Sequence, residues 1–322
     1  MIADDMGGVS NFLEDHQIAA LVICLISFIG SMGNWLVATS SQRLPSMRNS
    51  FGRLLASQST AEAVLCSIFA FFYSPMVFFN INGMKIISKR FGMVLLMCYD
   101  ICIFSHLFIA LNRMCAICLP LSYEKYFSES NTKVLIVFSW VMAIIPALVM
   151  YGYYDCDFVF EDSIWAFVFT QTKVCKFISW NIDFYKDLSI VIIIGAVDLV
   201  TVIKVHITNM KMRRSGQRDR DRRRNKEINF LKQAVLQGIV FVVELYTYFH
   251  LAWQFQNKWA VWALTTLAWN LVHCTDSLII IGYNAEFRRL ISSPKHIFSI
   301  GSVVHDSTIA TVERTHDRKS TA

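Results

Sequence analysis

The chain has 322 residues, 55% of them hydrophobic and only 17% charged, with a formal net charge of +6. A soluble domain of this size carries more charge, and several apolar runs exceed the roughly 18 to 20 residues that cross a bilayer, so composition argues against a soluble globular protein and for a membrane protein. The positive balance comes mostly from two stretches that flank apolar runs, which reads as topology and not as affinity for nucleic acid.

Residues 1 to 17 are acidic, with Asp4, Asp5, Glu14 and Asp15 and no Lys or Arg. They lack the basic start of a cleaved signal peptide, so the first helix is expected to act as the targeting signal. That helix covers about residues 18 to 40, with Gly33-Asn34 in its second half, and Arg43 and Arg48 follow it. Basic residues stay in the cytoplasm, which predicts an extracellular N-terminus. A second helix, about residues 51 to 79, carries Glu62 in its inner half and Pro75 near its outer end, where a kink is expected. The third, about 91 to 119, ends in Asn112-Arg113 and leads to Pro120 and Tyr123. A fourth, about 133 to 154, holds Trp140 and Pro146, and a long loop rich in aromatic and acidic residues runs on to about residue 187. The fifth, about 188 to 208, enters a run from Lys211 to Lys226 with nine Lys or Arg against two acids, a strong cytoplasmic mark. Helix six is expected at about 228 to 253 and helix seven at about 259 to 282, after which residues 284 to 291 are predicted to lie flat as a short amphipathic helix. The tail from Ser293 is polar and expected to be disordered.

The fold class expected is therefore all-α: a seven-transmembrane helix bundle with a short amphipathic eighth helix. Residues 1–17 form an extracellular N-terminus, 18–291 the bundle embedded in the lipid bilayer, and 292–322 a cytoplasmic tail. No internal repeat is detectable, which argues against the two-halved plan of many transporters. Arg113 is the residue that an apolar helix has least structural reason to carry. A guanidinium cannot shed its proton, and placing it near hydrocarbon costs roughly 2.5 to 17 kcal/mol depending on method, so its position reflects either snorkelling or function.

Helical spacing suggests where a ligand would sit. Tyr99, His106 and Arg113 are seven apart and fall within about 40° of one another on a helix. Trp262, Trp269 and Asp276 repeat that spacing in the seventh span with His273 beside them, and Glu244 and Tyr248 form a one-turn pair in the sixth. Charged groups in spans face the bundle interior, which predicts a pocket lined by Tyr99, Asp100, Glu244, Tyr248 and Trp269. The bland alternatives are packing for the aromatic residues and a hydrogen bond to a neighbouring helix for Asp100. Glu62 and Asp276 with Asn34 are expected to form an inner polar cluster, either rearranging on activation or serving as interhelical glue worth about 0.6 kcal/mol per bond. A metal-dependent hydrolase assembled from His106, His250, His273 and Asp276 is disfavoured, because His250 falls near the outer end and no short two-histidine ligand motif is present. No metal and no cofactor is expected. A ligand-gated channel of the insect odorant type would need an intracellular N-terminus, against the acidic start and the Arg43 and Arg48 flank.

The third-helix end, Asn112-Arg113 with Ala116-Ile117, Pro120-Leu121 and Tyr123, resembles that of rhodopsin-like G-protein-coupled receptors, in which the arginine is the cytoplasmic switch. Gly33-Asn34 is similar to their first-helix pair and Trp140 to their fourth-helix tryptophan. More closely, Asn49-Ser50-Phe51-Gly52, Ser57 through Glu62, Ser105-His106 through Asn112-Arg113, and Asp276 with Asn284 and Phe287-Arg288 resemble the nematode serpentine receptors of class X, over about residues 20 to 291. The resemblance implies a chemosensory receptor, not an enzyme. Such a receptor sits in the plasma membrane of sensory endings, in a cilium, binds an extracellular small molecule or peptide and activates a heterotrimeric G protein.

Departures from the wider family refine this. Asn112 stands where an acid precedes the arginine, and Met114 where a tyrosine follows it. Ser59 occupies the usual sodium-site aspartate position, and Asp276-Ser277-Leu278-Ile279-Ile280 replaces an Asn-Pro-x-x-Tyr motif, which puts sodium binding in doubt. Helix six lacks a Cys-Trp-x-Pro element. Ser88 falls at the usual third-helix cysteine, so the common disulfide cannot form; Cys156 and Cys175, in a loop placed outside, are the natural substitute, the alternative being two free thiols. Asn112 offers Arg113 only a neutral carbonyl, about 1 kcal/mol weaker than a charge-assisted bond. Glu227, at the start of helix six, is the expected compensating partner, so Asn112, Arg113, Tyr123 and Glu227 form the predicted coupling switch. The tail from Ser293 carries nine Ser or Thr, and their phosphorylation would suit the arrestin capture that the resembled family implies.

Overall fold

The computed structural model describes residues 13–154, 156–213, 232 and 235–292. Seven of its helices are long and apolar enough to cross a membrane: α1 (Asp15–Ser40), α2 (Ser50–Phe78), α3 (Asn82–Cys118), α4 (Glu129–Tyr153), α5 (Lys173–Thr208), α6 (Val235–Gln254) and α7 (Lys258–Tyr283). A short α8 (Ala285–Ser292) follows. The expected Glu227 and the polar tail lie outside the described residues.

Several helices begin on a short polar side chain that satisfies first-turn N–H groups. Asn49 accepts from the Gly52 N–H at 2.9 Å, Ser128 from Asn131 at 3.2 Å, Thr172 from Cys175 at 3.1 Å, and Asn257 from Trp259 at 2.9 Å. Two starts differ from the sequence reading. Residue 82, not 91, opens α3, because the charged stretch at its start is matched: Lys85 pairs with Asp162 at 2.8 Å and Lys89 with Asp157 at 3.5 Å. Residue 173, not 188, opens α5, and the long loop before it contains an antiparallel hairpin of β1 (Phe158–Glu161) and β2 (Ala166–Phe169), with Phe158 opposite Phe169 and Phe160 opposite Phe167.

Where Pro75 was expected to kink α2, the helix widens over Phe69–Tyr73, just before the proline. Widened turns also occur at Leu148–Tyr153, Ile178–Phe184, Thr247–Leu251 and Ala263–Leu267. Those in α5 and α6 contain Asp183 and Tyr248, and such turns are frequent at functional sites.

Close helix contact is set by small residues. A Cβ on Gly33 would stand 2.5 Å from Ser277 Oγ, so glycine there lets α1 lie against α7. The larger apolar core joins all seven spans and the hairpin; a second, around Met47, Phe51, Leu54, Ile109 and Phe287, fills the end that carries Arg113. Phe287 is fully buried and pins α8, while Glu286 accepts from the Ser46 N–H and hydroxyl at 3.2 and 2.8 Å.

Candidate functional site

At the hairpin end, α3, α5, α6 and α7 converge under the hairpin on a cavity of about 30 Å³. Its wall holds Leu96 and Tyr99 from α3, Asp183 and Asp187 from α5, Glu244, Tyr248 and Phe249 from α6, Trp269 from α7, and Phe158 and Phe169 from the hairpin. The Tyr99 hydroxyl donates to Glu244 Oε2 at 3.2 Å, and the Tyr248 hydroxyl to the Phe167 carbonyl at 3.1 Å. Trp269 meets Phe69, Phe158 and Tyr99 edge-on at 5.5, 5.9 and 6.1 Å between centroids.

Four of the five pocket residues expected from the sequence thus share one wall. Asp100 does not: it stands beside the cavity and accepts a hydrogen bond from Lys186 Nζ at 2.6 Å. Lys186 also pairs with Asp183 at 3.1 Å and Asp187 at 3.5 Å, so one ammonium serves three buried carboxylates. Sequence reasoning missed Asp183, Lys186 and Asp187 by assigning them to the loop. Their spacing was the available signal, since positions three and four apart share a helix face.

The hairpin is held over the cavity by several independent devices. Cys156 and Cys175 form a disulfide. Ser88 Oγ accepts from the Phe160 N–H at 3.2 Å, so the residue at the usual cysteine position still ties α3 to the loop, by a hydrogen bond. A Cβ on Gly92 would lie 1.9 Å from the Phe158 carbonyl oxygen, so only glycine lets the hairpin pass there. Trp165, with φ 50° in the left-handed region, turns its carbonyl to the hydroxyls of Tyr73 at 2.6 Å and Thr266 at 3.2 Å.

Halfway along the bundle is a second polar group. Gln58 Nε2 lies 3.0 Å from Glu62 Oε1, 2.8 Å from Asp276 Oδ2 and 2.9 Å from His106 Nε2, which is itself 3.1 Å from Asp276 Oδ2. A primary amide has two N–H bonds, and carboxylates are the stronger acceptors. Gln58 therefore donates to both acids, and the His106 Nε2–H donates to Asp276. Asn34 sits close by but ties α1 to α7 through the His273 carbonyl at 2.9 Å. Glu62, His106 and Asp276 offer ligand atoms within 4.8 Å of one another, a set that could hold a cation. Gln58 was missed for want of a charge, although it stands one turn before Glu62.

At the far end Arg113 is buried, 3% exposed, with its guanidinium 5.0 Å from the centre of the Phe51 ring. The carboxylate of Asp198, on α5, attracts it electrostatically. The Asn112 amide donates to the Tyr123 hydroxyl at 3.1 Å. Between the two ends, Phe241 of α6 packs 6.1 Å from the Tyr99 ring, 5.8 Å from His273 and 4.8 Å from His106.

The model of the serpentine type 7TM GPCR chemoreceptor Srx family matches residues 24–284. The chain belongs to that family. This class X chain is 33% identical to "Serpentine receptor class X 45" of Caenorhabditis elegans over 86% of its own length and 81% of the relative's. It is 26% identical to "Serpentine receptor class X-43" of the same organism, over 86% and 87%. The crystal structure of squid rhodopsin superposes with a TM-score of 0.72 at 14% identity, covering 86% of this chain and 84% of that one, a likeness of fold. The family is one of receptors and not of enzymes, and the class X chain is a multi-pass protein of the plasma membrane.

Proposed function

We propose that this receptor binds an extracellular small molecule or peptide in the cavity beneath the hairpin and activates a heterotrimeric G protein at the end that carries Arg113. One observation carries the reading: α3 bears both an aromatic and acid-lined cavity and a buried arginine, at opposite ends of the stripe Tyr99, His106, Arg113. A ligand that moves Tyr99 and Glu244 acts on α3 and α6 together, the pair of helices whose separation admits a partner at the arginine end. Arg43 and Arg48 follow α1 at the arginine end, and the basic run at 211–226 follows α5 in the sequence, which supports a cytoplasmic placement for that end and an extracellular N-terminus. Location in a sensory cilium, and arrestin capture of the phosphorylated tail, complete the proposal; the inner cluster of Asn34, Glu62 and Asp276 is the part that rearranges.

The test is a ligand screen in cells that express the chain with several G-protein α-subunits, reading second messengers. A response that Arg113→Ala removes at equal surface expression is expected. Silence across all subunits would overturn the reading. An epitope tag at residue 1 should stain on unpermeabilised cells, and failure to stain would overturn the orientation.

A further inference from the structure

The cavity wall carries three acids and six aromatic rings and no basic side chain. Lys186 is not in the wall, but its ammonium pairs with two wall residues, Asp183 at 3.1 Å and Asp187 at 3.5 Å, and with Asp100 behind them at 2.6 Å. With three carboxylates to one ammonium, this group keeps a formal charge of −2 when ionised. Glu244 meets the neutral Tyr99 hydroxyl and no ion pair among the described residues. Ionised acids in a span are costly without an opposite charge. A metal ion in the Asp100, Asp183 and Asp187 triad would have to displace Lys186, so the excess charge faces the cavity.

A second, independent observation concerns Trp269. It lines the cavity, is 5% exposed, and its indole N–H has no hydrogen-bond partner among the described residues. A buried donor left unpaired costs about 1–3 kcal/mol, part of which the aromatic face of a ligand would recover as an N–H···π contact. Tyr99, Tyr248 and Trp269 line the cavity beside these acids, and aromatic rings attract ammonium groups.

We propose that the ligand is a small organic cation, an ammonium on an aromatic or apolar body, held by Asp183, Asp187 and Glu244 within the aromatic wall. This rests on the receptor reading above and names the chemical class its site takes. With a volume of about 30 Å³, room for about two water molecules, the cavity would admit such a ligand by displacement of Phe158 and Phe169 on the hairpin.

The experiment uses the full chain in lipid nanodiscs, with four matched probes: phenethylamine, benzyltrimethylammonium, phenethyl alcohol and hydrocinnamate. Thermal melting is followed against probe concentration. Both cations are expected to raise the melting midpoint at concentrations at least about tenfold below the alcohol and the carboxylate, and Glu244→Gln and Asp187→Asn each to weaken the cations about tenfold. Equal or better stabilisation by the alcohol or by hydrocinnamate, or none by any probe, would overturn the proposal. The wild-type series decides this even if a variant does not fold. Basal nucleotide exchange on added G protein, with and without Arg113→Ala, reports on the receptor reading separately. Arginine-dependent exchange without cation stabilisation sinks the ligand class alone; cation stabilisation without exchange leaves the site and sinks the coupling.

Discussion

The Asn112 amide donates to the Tyr123 hydroxyl at 3.1 Å, which commits the residue beside the arginine to the turn that follows α3. Tyr123→Phe removes that bond, worth about 1 kcal/mol, and is expected to raise ligand-independent signalling about fivefold. In Asn112→Asp the tyrosine hydroxyl reverses and donates to a carboxylate. The bond becomes charge-assisted and stronger by about 1 kcal/mol, so basal signalling falls about fivefold. Basal second messenger, normalised to surface receptor, checks both; a rise with Asn112→Asp would remove Asn112 from the brake.

Arg113 itself is the subject of a second prediction. Asp198 attracts it from α5, inside the bundle, where a charge is screened far less than at the surface. Asp198→Asn keeps the shape and loses the charge, and basal signalling is expected to rise several-fold. Glu227, outside the described residues, is the partner expected from the sequence, and Glu227→Ala is likewise expected to raise basal signalling. Arg113→Ala should abolish coupling at unchanged surface expression. Unaltered coupling in that variant would end its assignment as the switch.

The seven spans were legible because runs of twenty apolar residues are a strong signal, and Arg113 because a guanidinium in such a run demands an explanation. The hairpin was not: two four-residue strands are too short for their alternation to stand out from a loop. Asp183, Lys186 and Asp187 were lost for a physical reason, since charges lower local hydropathy and pushed the expected start of α5 to residue 188. In the structure Lys186 pairs with both acids, which lowers the cost of burying them, so the helix tolerates them. Asp100 was read as facing the cavity because charged groups in spans face the bundle interior; it is buried, but beside the cavity, where it pairs with Lys186 of α5.

Phe241 links the two polar layers, touching Tyr99, His273 and His106. Phe241→Ala is expected to lower ligand efficacy with little change in ligand affinity, because the residue is not in the cavity wall. Spatial intermediacy alone does not prove coupling. A double-mutant cycle with His106→Ala is the check: an interaction energy beyond about 0.5 kcal/mol supports the link, and additivity denies it.

Gln58 is the amide that serves both inner carboxyl groups, at 3.0 and 2.8 Å. Gln58→Leu leaves two buried acids without those donors, and bonds to charged groups contribute about 1.5–3 kcal/mol each. The variant is expected to lose about 3 kcal/mol or more of stability, read as a lower melting midpoint in nanodiscs. Gln58→Asn, too short to reach both acids, should fall between it and the wild type.

The last prediction concerns the lid, whose restraints differ enough in size to be ranked. Ser88→Ala removes one hydrogen bond to the Phe160 N–H and should cost about 1 kcal/mol. Cys156→Ser together with Cys175→Ser opens a loop of sequence separation 19. The chain-entropy model values that closure at about 3 kcal/mol. Gly92→Ala acts differently, since its Cβ would fall 1.9 Å from the Phe158 carbonyl oxygen, against backbone that cannot rotate away as a side chain could. The hairpin has to lift off α3, and with it go the Ser88 bond and the seat of Phe158 in the cavity wall. The expected order of destabilisation is Gly92→Ala above the double cysteine variant, and that above Ser88→Ala, measured as melting midpoint in nanodiscs. A bound ligand should dissociate faster in the same order, because the hairpin covers its exit. If Gly92→Ala melted like the wild type, the hairpin would not lie where the close passage over α3 puts it. If all three melted in the stated order yet released ligand at one rate, the hairpin would be a structural cap and not the lid of the site.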